Sequence, residues 1–138
     1  MIVADTSILS TFARIQRLDL LFTVAETKAI HLPTAIVKEI QAGLNKGLDF
    51  LKPIIAGLDS GINFYPITLT PDEIIQVDTL PSSLNAGERE SFTICSNRVG
   101  NKLLTNDKRA HNYCRENHIP SLDLKLILRQ LWKAGYCN

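Results

Sequence analysis

The chain has 138 residues, 45% of them hydrophobic and 21% charged, with a formal net charge of +1. That length fits one globular domain, 1–138, able to bury a full core. A near-neutral total neither demands nor excludes a polyanionic partner, because clustering of charge matters more than its sum.

Ile2–Ala4 is a short apolar run suited to a buried parallel strand. Thr6 or Ser7 can cap the next helix, whose Ile8, Leu9, Phe12 and Ile15 recur at helical spacing. Leu18–Phe22 forms a further short helical piece, and Lys28–Leu32 a second strand stopped by Pro33. Thr34 caps a helix carrying Ile36, Val37, Glu39 and Ile40 that ends at Gly43. Leu44–Leu58 is helical in pattern, with a bend or break at Pro53. Ile62–Ile67 reads as a strand that Pro66 confines to an edge or a strand end.

Thr70-Pro71-Asp72-Glu73 is a strong helix start with a capping box. Leu84–Glu88 opens another helix, with Phe92, Ile94, Cys95 and Val99 as buried candidates. Lys102–Thr105 is a strand, Asp107 begins a helix to about Asn117, and Ile119-Pro120-Ser121 is a minimal strand. Ser121 caps a last helix with Leu124, Ile127, Leu128, Leu131 and Trp132 on a wide apolar face. Strands alternating with helices mean an α/β fold with a mostly parallel sheet.

Cys95, Cys114 and Cys137 show neither disulfide nor metal spacing and are expected reduced, the first two packed on helices and Cys137 in a frayed tail. No apolar run approaches the roughly 18 residues of a membrane span, and no signal-peptide pattern opens the chain. A cytoplasmic protein with no membrane partner is the expectation. His31, His111 and His118 are scattered without metal spacing.

Four carboxylates stand out by position. Asp5 and Asp107 end strands, Glu39 rides on a helix and Glu88 sits at a helix start. In open α/β sheets ligands gather beyond the carboxyl ends of strands. Acids converging there repel one another unless a cation lies among them, and Mg²⁺ or Mn²⁺ prefers carboxylates and water. Each also has a structural reading: Asp5 as the start of a turn, Glu39 as a solvated charge, Glu88 in a capping box with Asn85, Asp107 as an N-cap.

Four pieces, Ile2-Val3-Ala4-Asp5-Thr6-Ser7, Pro33–Ile40 around Glu39, Leu84-Asn85-Ala86-Gly87-Glu88-Arg89-Glu90 and Leu103–Ala110 around Asp107, together resemble a PIN-domain ribonuclease of the VapC-toxin type. The resemblance spans nearly the whole chain and lies in the ordered set, not in any single piece. It implies a three-layer α/β/α fold and a Mg²⁺- or Mn²⁺-dependent endoribonuclease, with Asp5, Glu39, Glu88 and Asp107 as acid cluster and metal ligands. Thr6 or Ser7 would fill the family's hydroxyl position, and Asn106 would support the last acid. It also implies a homodimer and a cognate antitoxin.

Many members carry Asp where this chain has Glu88, and Arg109 stands where some carry a further acid, which bears on a second ion. Asp123 is read as a first-turn helix charge. Arg98, Lys102, Lys108, Arg109 and Arg115 are the candidates for contacting an RNA backbone. The competing class is a PIN-like module that binds RNA or protein without catalysis.

Overall fold

Alternation along the first strand sets the layers. In β1 (Ile2–Ala4), Val3 points into one apolar core and Ala4 into another, as expected when successive side chains leave opposite faces of a sheet. Leu103 and Leu104 of β4 (Lys102–Leu104) divide in the same way. The structure, a computed structural model, describes residues 1–136. Cys137 lies outside the described residues.

The strands β1, β2 (Ile30–Pro33), β3 (Phe64–Ile67), β4 and β5 (Ser121–Leu122) form one parallel sheet in the order β3-β2-β1-β4-β5. The larger core takes side chains from α1 (Thr6–Arg14), α2 (Asp19–Ala25), α3 (Thr34–Asn45), α4 (Lys52–Ser60) and α8 (Leu124–Lys133). The smaller core lies under α6 (Ala86–Asn97) and α7 (Lys108–Glu116). Helices on both faces of a parallel sheet make the expected three-layer α/β/α fold. No helix among the described residues is long and apolar enough to cross a membrane.

Several local expectations are revised by the structure. Asp5, not Thr6 or Ser7, caps α1 by accepting from the Ile8 amide at 3.1 Å. Pro33 closes β2 opposite Ile67 and precedes α3, while Thr34 gives no cap; the Ala35 amide donates instead to Glu90 Oε1 of α6 at 2.9 Å. α3 passes through Gly43 to Asn45; a methyl group at position 43 would lie 2.7 Å from Leu51 Cδ1, so the glycine there serves close packing rather than ending the helix. Pro53 sits in the first turn of α4, after a short 3₁₀ turn at Asp49–Leu51, rather than breaking a helix. Val99 is fully exposed, whereas Phe92, Ile94 and Cys95 are buried as expected. Asp123, not Ser121, caps α8. Burial pushes the thiols of Cys95 and Cys114 up, to about 12 and about 11, so both are unreactive packing residues.

The helix α5 (Pro71–Thr79) is fastened by Glu73, which completes the capping box with Thr70 and also receives Arg98 at 2.7 and 3.0 Å. Arg98 reaches the Thr68 carbonyl at 3.0 Å as well, tying α6 to the exit of β3. Glu73 is buried and Arg98 half-buried. Glu73→Gln is expected to cost about 2 kcal/mol at neutral pH. The guanidinium holds the Glu73 carboxyl below its usual range. That stabilisation is therefore complete above the unfolded-state value of about 4.3 and is lost as pH falls through the folded-state value. Urea titrations of both proteins at neutral pH and at about pH 3 check the sign, because the gap should narrow in acid.

Candidate active site

From β1 the chain winds outward through β2 to β3, then returns to β4 on the other side of β1. The winding therefore reverses between β1 and β4, and the crevice beyond such a switch point is where open α/β sheets bind ligands. Ala4 is in register with Leu104. Asp5 and the run Thr105-Asn106-Asp107 thus emerge side by side, and the Asp5 amide donates to the Leu104 carbonyl at 3.1 Å.

Asp5 is only 7% exposed. Its Oδ1 accepts from Ser7 Oγ at 2.6 Å and from the Ile8 amide, and its Oδ2 accepts from Thr105 Oγ1. Thr105 Oγ1 in turn accepts from the Asp107 amide at 3.0 Å, so one hydroxyl couples the two strand-end acids. Ser7 Oγ accepts from the Asn106 amide at 3.0 Å, and the Asn106 side chain donates to Thr11 Oγ1. Burial pushes the Asp5 carboxyl above its ordinary value; the hydrogen bonds from Ser7, Thr105 and Ile8 oppose this, and the Asp107 charge adds to it.

The two glutamates join this ridge from the helices. Thr6 Oγ1, next to Asp5, donates to Glu39 Oε2. Glu88 sits in a capping box on α6, accepting from the Asn85 amide at 3.1 Å while its own amide donates to Asn85 Oδ1 at 2.8 Å. Gly87 allows the helices to approach: a methyl group there would lie 2.6 Å from Ile36 Cδ1 and 3.1 Å from Glu39 Oε1.

All four acids follow one pattern. Each commits an oxygen to a donor that fixes its position: Asp5 to the Ile8 amide, Glu39 to Thr6, Glu88 to Asn85, Asp107 to the Arg109 amide at 2.8 Å. Glu88 Oε2 is buried without a hydrogen-bond partner. No hydrogen bond among the described residues reaches Glu39 Oε1 or Asp107 Oδ2. Asp5 Oδ2 accepts one hydrogen bond and retains acceptor capacity. A buried, unpartnered carboxylate oxygen is costly by itself. An all-oxygen donor set of this kind suits a hard divalent cation. Among the described residues, no three His, Cys, Asp or Glu side chains are drawn closely enough together to form a closed metal cluster.

The basic candidates divide. Arg98 is engaged by Glu73, Lys102 begins β4 at the strand end opposite the acids, and Arg109 reaches the Ser83 carbonyl at 3.4 Å. Lys108 and Arg115 line a groove that also includes Asn106. Sequence reasoning passed over Thr105, although a polar residue ending a buried apolar strand was a signal. It also passed over Lys125 and Arg129, which line the same groove from α8 and carry no local pattern to mark them.

A family model described as a PIN domain matches residues 1–138. A solved structure, titled a domain of a functionally unknown protein from Methanocaldococcus jannaschii DSM 2661, is similar to this chain with a TM-score of 0.54 and 20% identity. The match covers 89% of each chain, and at that identity it speaks to the fold alone. No curated protein matches the chain. The PIN domain is a nuclease-type fold family, and the full-length match settles membership: this chain belongs to the PIN-domain family.

Proposed function

We propose that the chain is a metal-dependent endoribonuclease that hydrolyses RNA phosphodiester bonds. Asp5, Glu39, Glu88 and Asp107 would hold Mg²⁺ or Mn²⁺. The observation that carries this reading is the oxygen that each of the four acids leaves available along one linked ridge. When bound, the ion supplies positive charge against the phosphate and a water acidified toward neutral pH.

The remaining work falls to the protein's own groups. Thr105 and Ser7 lock the Asp5 carboxylate, Thr6 locks Glu39, and Asn106 borders both the ridge and the basic groove. Three of the acids also sit at helix starts, Asp5 at α1, Glu88 at α6 and Asp107 at α7. The positive ends of those helix dipoles favour an anionic phosphate nearby. Action as the toxin of a toxin–antitoxin pair, with a cognate antitoxin and a homodimeric state, belongs to the same proposal. The exposed Trp132 on α8 is a natural anchor for such a partner.

One observation favours a second reading, a PIN-like module that binds RNA or protein without cleaving. The acids are linked pairwise and do not close into a three-ligand cluster. Response to metal separates the two readings. Mn²⁺ should raise the melting temperature of the wild type and leave Asp5→Asn unmoved. Without metal, Asp5→Asn should melt no lower than wild type, since Asn still caps a helix and a buried charge is gone. A wild type indifferent to Mn²⁺ would favour the binding module.

Cleavage of RNA with Mn²⁺ should stop on chelation. Asp5→Asn and Asp107→Asn should each lower kcat by roughly 100-fold or more. Thr105 acts as a positioning residue, so Thr105→Val should lower Mn²⁺ affinity or activity about tenfold, with the fold intact by circular dichroism. Full cleavage by both aspartate variants would overturn the assignment.

A further inference from the structure

The groove between α7 and α8 has a volume of about 920 Å³. Lys108 and Arg115 line it from α7, and Lys125 and Arg129 from α8. All four are exposed, and none forms an ion pair among the described residues. Four of the chain's 15 Lys and Arg line this groove against one of its 14 Asp and Glu, so the rest of the chain is net negative. The near-neutral total conceals a local concentration of positive charge.

The single acid, Asp123, is engaged: it caps α8 through the Leu126 amide at 2.9 Å and faces His111 Nε2 at 4.0 Å. The cations form a ladder rather than a pocket. Lys125 and Arg129 stand one helical turn apart, about 6 Å, and Lys108 and Arg115 about 10 Å apart. That arrangement suits an extended polyanion better than one small anion. Asn106 lines the groove and also touches Ser7 and Thr11, so the groove is continuous with the carboxylate ridge. The guanidinium planes of Arg115 and Arg129, set beside apolar lining from Leu124 and Leu126, offer unpaired bases a stacking surface that an acidic peptide would not need.

We propose that the α7–α8 groove carries the sugar-phosphate backbone of a single-stranded RNA segment adjoining the scissile bond. Lys125 and Arg129, together with Lys108 and Arg115, supply most of its affinity. This rests on the nuclease reading for what the groove feeds, but binding itself needs neither metal nor hydrolysis. The substrate is held by α8 and α7 while the acids at the switch point remain dedicated to the ion.

The test is fluorescence anisotropy of a labelled oligouridylate with the full chain in EDTA, across a salt series. Lys125→Glu/Arg129→Glu should weaken binding roughly tenfold or more and flatten the dependence of log affinity on log salt by about 1.4, two phosphate contacts at 0.7 each. Lys28→Glu/Lys46→Glu, the same change of charge at two residues outside the groove, should shift affinity less than about twofold. Should the reversal fail to fold by circular dichroism, Lys125→Ala/Arg129→Ala takes its place with the same expected flattening.

Wild-type affinity and slope in a folded double variant would overturn the proposal, as would absence of oligouridylate binding by the wild type. If polyglutamate binds the wild type more tightly than the oligonucleotide and is lost in the same double variant, the groove belongs to a protein partner and the proposal fails. A chain that binds through the groove yet never cleaves sinks the nuclease reading alone. A chain that cleaves while the double variant binds normally sinks the groove alone.

Discussion

Burial of the Asp5 carboxylate beside Asp107 is the constraint on which the arrangement of the site depends. A charge 7% exposed with a second acid as neighbour is unfavourable in a low-dielectric setting. The protein keeps Asp5 there with three hydrogen bonds, and two come from the hydroxyls of Ser7 and Thr105, which in turn accept from the Asn106 and Asp107 amides. Helix capping accounts for the Ile8 bond but not for the other two. The same economy recurs at Glu88, whose capping box needs Oε1 alone and leaves Oε2 buried and unpartnered. These fixed positions and spare oxygens are what the proposed cation site rests on.

Topology explains why residues 100 positions apart can meet. Parallel strands whose order reverses between β1 and β4 deliver Asp5 and Thr105 to one point. Right beside it, Gly87 lets α6 lie against α3 so closely that Glu39 and Glu88 approach from the flank. In the proposed reading, substrate binding and chemistry separate in space. Acids occupy the switch point, and unpaired cations occupy the α7–α8 groove that Asn106 joins to it.

Much of this was legible in the sequence, and the misses have physical reasons. Apolar runs such as Ile2–Ala4 and helical spacing such as Ile8, Leu9 and Phe12 are local signals, and the structure follows them. Caps were misassigned at α1, α3 and α8 because several polar residues compete at each start and tertiary context decides among them. At α3 the donor's partner is Glu90, 55 residues away. Val99 has an apolar side chain but follows the last turn of α6, where there is nothing to pack on. The acids were visible as a spaced set; the hydroxyls that hold them, and the cations of α8, became visible only once strands and helices from distant segments were adjacent.

The most direct measurement is the position of bound manganese from anomalous scattering in crystals of the wild-type chain. An anomalous peak within coordination distance of Asp5 Oδ2 and Asp107, flanked by Glu39 and Glu88, is the expected result. Manganese bound elsewhere, or no peak at the switch point with the metal at millimolar concentration, would contradict a metal-centred role for these four acids.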